Sequence, residues 1–154
     1  MRQRQSFAAK VTAAAVVVLA LLVGSSAALA GSVSPRTGYL HVTKECSEYT
    51  LAAGGFCTIT SSNVKAIPVG AKVIYKDAAV YPNLDTDIVL YAGPGNSAFG
   101  HVVLDLNTGY GTVTFDGGTG RFTHFHASAA DVTPLGWPNW AWDGDYSFTP
   151  HGDE

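Results

Sequence analysis

From residue 31 onward, apolar and polar residues alternate in short runs, and no stretch sustains an apolar period near 3.6. A period of two sends successive side chains to opposite faces of an extended strand. The runs predict strands near 39–43, 56–60, 63–66, 71–75, 86–91, 101–107, 110–115, 121–132 and 139–148. Turn signals separate them: Pro68-Val69-Gly70, Tyr81-Pro82-Asn83, Gly93-Pro94-Gly95-Asn96, Asn107-Thr108-Gly109, Asp116-Gly117-Gly118-Thr119-Gly120 and Pro134-Leu135-Gly136. Short strands in series, without helices, predict a closed antiparallel barrel of eight or nine strands, or a sandwich, because open edges invite aggregation. No segment repeats at a fixed period, which disfavours a propeller or solenoid.

The alternation also sorts faces. The inner set is predicted to be Leu40, Val42, Val73, Tyr75, Val102, Leu104, Leu106, Val113, Phe115, Phe125, Trp140, Trp142, Tyr146 and Phe148. Almost none of these ionises near pH 7. The last two strands are expected to form a hairpin centred near Leu135-Gly136, with Phe125 opposite Tyr146, His126 opposite Asp145 and Ala129 opposite Trp142. That register puts Thr123, Phe125, Ala127 and Ala129 on the aromatic face. It puts His124, His126, Asp143 and Asp145 together on the other. Two imidazoles and two carboxylates on one strand face suit a divalent metal. Since the aromatic face must be the inner one, a solvated polar surface is the preferred reading and His124, His126, Asp143 and Asp145 are weak metal candidates. A β-bulge in the pair would flip part of this assignment.

The N-terminal thirty residues stand apart. Arg2, Arg4 and Lys10 precede the apolar run VTAAAVVVLALLVG, and Ala28 and Ala30 occupy the small positions of a cleavage site. This is the layout of a secretory signal peptide, and the run is short for a membrane span. Cleavage after Ala30 is expected, leaving residues 31–154 as a single secreted or periplasmic domain with no membrane span. That domain holds six Lys/Arg against twelve Asp/Glu, a formal charge of −6, which excludes the basic footprint of a nucleic-acid binder. Cys46 and Cys57 are the two cysteines, and an oxidising compartment favours a disulfide between them over a metal site.

Catalytic signatures are absent: there is no G-x-S-x-G, H-E-x-x-H, Walker loop or dinucleotide fingerprint, and no motif implies a cofactor. His101 and His151 are isolated along the chain. Gly117-Gly118-Thr119-Gly120 reads as a tight hairpin turn rather than a phosphate cradle, because no helix follows it. Aromatic residues carry what binding signal there is. Tyr75, Phe115, Phe125, Trp140, Trp142 and Tyr146 are the pocket candidates, against the plainer reading that large aromatics plug a small barrel.

The segment Gly117–Phe122, GGTGRF, follows a strand ending in Thr-Phe and opens another. It resembles the allene oxide cyclase and dirigent barrel superfamily over about residues 110–148. The resemblance implies an eight-stranded antiparallel barrel with an internal pocket, often trimeric. In the plant members the pocket orients a reactive epoxide or phenoxy radicals by shape. Here Thr123-His124-Phe125-His126-Ala127 follows, where the family continues with small residues. No acidic or basic pocket residue of the family is carried over. The expected function is therefore an exported barrel that binds or orients a small hydrophobic molecule. A cyclase-like or dirigent-like auxiliary is the alternative, and a carbohydrate or surface module using Trp137 is the third. Outward Val103 and Ile74 are compatible with a homo-oligomer.

Overall fold

The computed structural model describes residues 36–149, the side chain of Ala129 excepted. The expected export signal at 1–30 and His151 lie outside the described residues. Eight strands close into an antiparallel barrel in simple sequential order. They are β1 (Arg36–Glu45), β2 (Phe56–Ser62), β3 (Lys72–Tyr75), β4 (Asn83–Tyr91), β5 (Ser97–Asp105), β6 (Gly111–Gly118), β7 (Phe125–Gly136) and β8 (Asn139–Phe148). β8 closes on β1 along its whole length, from Arg36 opposite Phe148 to Glu45 opposite Asn139. No strand edge is left unpaired, which answers the aggregation problem that the alternation raised.

The inner face follows the predicted period. Leu40, Val42, Val73, Tyr75, Val102, Leu104, Val113, Phe115, Phe125, Trp142 and Phe148 are buried, while Leu106, Trp140 and Tyr146 pack half-buried against them. On β4, Leu84, Thr86, Ile88 and Leu90 point inward and alternate with Asp85 and Asp87.

Three local expectations change. The strand expected at 63–66 is a turn. Ile67 donates its backbone N–H to the Val64 carbonyl at 2.8 Å, and both side chains tuck into the core from that turn. The Gly-rich segment is not a tight hairpin. β6 ends at Gly118, a single 3₁₀ turn (Gly120–Phe122) follows, and β7 starts at Phe125. Burial of Phe122 explains the longer path, and Gly118 permits it: a Cβ there would fall 2.6 Å from Phe122 Cβ and 2.3 Å from the Ser97 carbonyl oxygen.

The third change concerns the last hairpin. Its turn is Trp137-Pro138, with Gly136 opposite Asn139, so Phe125 faces Phe148 and Ala127 faces Tyr146. The register slips between Ala127 and Asp131, and the buried positions step from Phe125 and Ala127 to Ala130 and Val132. A bulge of this kind reverses the face of every later residue on its strand. Trp142 consequently faces Val132 rather than Ala129, and Gly144 supplies the space opposite the bulge, where a Cβ would lie 2.8 Å from Ala130 Cα.

Candidate functional site

The registers place one set of strand ends together: the ends of β1, β3, β5 and β7, and the starts of β2, β4, β6 and β8. At this end the barrel holds a cavity of about 470 Å³. That lies within the 300–1,000 Å³ typical of small-molecule sites. Leu84, Leu104 and Leu106 form an aliphatic wall from β4 and β5 and the turn after it. Trp140 of β8 and Tyr75 of β3 supply aromatic walls. Trp137, 74% exposed, and Tyr81, 71% exposed, stand at the rim.

A disulfide-closed loop forms the remaining side. Cys46 and Cys57 are bonded, as expected. Backbone hydrogen bonds hold the loop between them: Cys46 donates its N–H to the Pro138 carbonyl at 2.8 Å, Gly54 donates to the Tyr75 carbonyl at 2.8 Å, and the Gly55 and Leu51 carbonyls accept from Tyr75 and Ala79 at 3.0 and 2.9 Å. Tyr49, on this loop, stacks on Tyr75 with centroids 4.2 Å apart. Gly55 leaves room for that stack, since a Cβ would fall 2.7 Å from the Tyr49 ring. Loop residues Thr50 and Leu51 also line the cavity.

The cavity's polar centre is Lys44, which is 4% exposed. Leu40, Val42 and Lys44 share one face of β1, so the alternation that buries the first two also turns the lysine inward. Its Nζ donates to the Tyr75 hydroxyl at 2.5 Å and lies 5.3 and 5.0 Å from the ring centroids of Tyr75 and Trp142. The Tyr75 hydroxyl in turn lies 3.3 Å from Cys57 Sγ, which in a disulfide can only accept. Among the described residues, Lys44 is the one charged side chain lining the cavity. With no carboxylate to compensate, burial lowers its amine from the ordinary 10.5 to about 7. Burial likewise raises Tyr49 to about 12 and pushes Tyr75 higher still, so both phenols stay protonated at neutral pH. Three further donors of the surrounding aromatic side chains are fully buried, the Trp142 indole N–H among them. Like it, the Tyr49 hydroxyl and the Trp140 indole N–H have no hydrogen-bond partner among the described residues. Buried donors in folded proteins are nearly always paired, so a cluster of unpaired ones marks a place for an acceptor.

The sequence-predicted residues divide between the two ends. Tyr75 and Trp140 line the cavity. Phe115, Phe125 and Trp142 pack instead in an aromatic cluster reaching toward the opposite end. There Phe125 meets Phe115, Phe122 and Phe148 at centroid distances of 5.5, 5.7 and 5.0 Å, and Phe115 meets Trp142 edge-on at 5.6 Å. Tyr146 also touches this cluster, 6.4 Å from Phe125, and borders a shallow outer groove. The interior lysine departs from the expectation of an interior with almost no group ionising near pH 7.

The weak metal candidates are dispersed. His124 sits in the turn before β7 at φ 60°, off the strand that carries His126. His126 lies 3.1 Å from Asp116, while Asp143 pairs with His41 at 2.5 Å. Among the described residues, no three His, Cys, Asp or Glu side chains gather as a metal site. His101 is not isolated: its two ring nitrogens each lie 2.9 Å from a carboxylate, Asp87 and Asp85. The hydrogen bond with Asp87, and then that with Asp85, raise its pKa from the usual 6.5.

No family model, curated protein or solved structure matches the chain. Among the described residues, no helix is long and apolar enough to cross a membrane.

Proposed function

We propose that the protein is an exported barrel that binds a small, largely apolar molecule in the cavity between Lys44 and the Trp137/Tyr81 rim. The observation that carries this is a volume of about 470 Å³ lined by aliphatic and aromatic side chains around a buried amine. A plug serving stability alone would fill that volume, as the aromatic cluster fills the other end. Aromatic side chains present large apolar area at little entropic cost, and Trp and Tyr add donors for orientation. The disulfide fits an oxidising compartment outside the cytoplasm, in line with the export signal read from residues 1–30.

Titration with the neutral fluorophore N-phenyl-1-naphthylamine tests the reading. Saturable binding in the micromolar range is expected, weakened at least about tenfold in Leu104→Trp, whose added rings occupy the cavity. Absence of saturable binding, or equal binding to the filled variant, would remove the proposal.

A further inference from the structure

We propose that Lys44 is a nucleophilic amine that captures the carbonyl carbon of an apolar aldehyde as a reversible Schiff base inside the cavity. The inference rests on the binding reading above and names the reactive group of the ligand. Three features of the geometry support it, beside the protonation state of the amine. The amine is buried at the cavity's inner end, yet it lines the free volume. Among the described residues no acid lines its cavity: the titratable side chains there are Tyr75 of β3, Tyr49 of the disulfide loop and Tyr81 of the rim, while β4, β5 and β8 present Leu84, Leu104, Trp140 and Trp142. A structural lysine buried this deeply would ordinarily be paired with a carboxylate. The Tyr49 hydroxyl, on a side chain that lines the cavity and without a hydrogen-bond partner among the described residues, can receive the carbonyl oxygen and the negative charge that develops on it. A desolvated lysine in an apolar pocket keeps enough neutral amine at neutral pH to attack.

The step balances without a further reactant. The Nζ lone pair forms the C–N bond while the carbonyl π pair moves to oxygen. The Tyr75 hydroxyl, 2.5 Å from Nζ, relays an amine proton to that oxygen. Loss of the hydroxyl with a second proton leaves the imine and one water. Hydrolysis reverses the sequence and releases the aldehyde unchanged.

The test uses the folded chain with 2-naphthaldehyde and sodium cyanoborohydride at pH 7, with adducts mapped by peptide mass. Lys44 should be alkylated at least about tenfold faster than the exposed Lys65, Lys72 and Lys76, because a larger fraction of it is neutral. Lys44→Arg should abolish the fast adduct, while the wild-type chain should bind 2-naphthalenemethanol, which has the same body and no carbonyl. Tyr75→Phe should slow the adduct; an unchanged rate would take the relay away from Tyr75. If the alcohol binds and Lys44 reacts no faster than the surface lysines, the covalent inference is wrong and the binding reading stands. If the alcohol does not bind and Lys44 is not modified, both are wrong.

Discussion

The two ends of the barrel are both rich in aromatic side chains and do opposite things with them. At one end Phe122 is buried from a 3₁₀ turn and packs on Phe125, which in turn meets Phe115 and Phe148. At the other, Trp137, Trp140, Tyr49 and Tyr75 stand around an empty volume with a lysine inside it. Ring count does not separate them. The closed end is lined chiefly by phenylalanines, which need no polar partner, with the Trp142 indole beside them. The open end uses tyrosine and tryptophan, whose donors remain in part unpaired, together with a cation whose burial costs stability. The hydrogen bond to Tyr75 and the ring faces of Tyr75 and Trp142 offset only part of that cost, so it points to a function placed at this end.

Truncation should break the symmetry most clearly. Phe125→Ala at the closed end removes the centre of the aromatic cluster and should lower unfolding stability by about 3–5 kcal/mol in urea titrations. The amine gives the opposite sign. Lys44→Met should raise stability by about 3 kcal/mol at pH 7, the cost of a neutralised buried lysine less a lost hydrogen bond. The pH profile carries the same information. Because the folded value of about 7 lies below the unfolded 10.5, the unfolded chain binds more protons between them and wild-type stability rises with pH. The slope should approach about 1.4 kcal/mol per pH unit from about pH 8 to about 9.5, and Lys44→Met should flatten it. Above that window the tyrosines, held protonated only in the fold, reverse the trend.

Smaller effects sharpen the contrast. Reducing the Cys46–Cys57 bond should lower stability by about 2 kcal/mol through loop entropy and weaken fluorophore binding, because Tyr49 and Leu51 ride on the released loop. Trp137→Ala should change stability by less than about 0.5 kcal/mol, as the side chain is largely exposed, yet weaken binding several-fold by opening the rim.

The closed end was largely legible in the alternation of the chain. Phe115, Phe125, Trp142 and Phe148 fall on strand positions of one parity, and parity alone buries them. The open end was not, for two physical reasons. Lys44 continues the inward parity of Leu40 and Val42, but the predicted strand stopped at Thr43, so the lysine was left beyond its end. Extending the alternation by one residue would have found it. Tyr49, Leu51 and Trp137 come from a loop and a turn, where no period assigns a direction. The His/Asp grouping dissolved for a related reason. The bulge after Ala127 and the turn at His124 are backbone features that a uniform register cannot carry.

Titration of Lys44 by NMR, following its ¹³Cε resonance in the folded chain and assigning it with Lys44→Arg, tests the central claim most directly. A buried amine without a compensating acid should titrate with a midpoint near 7, well apart from the surface lysines. A midpoint at the ordinary 10.5 would mean that the amine is solvated or paired, and that the open end is not the site described.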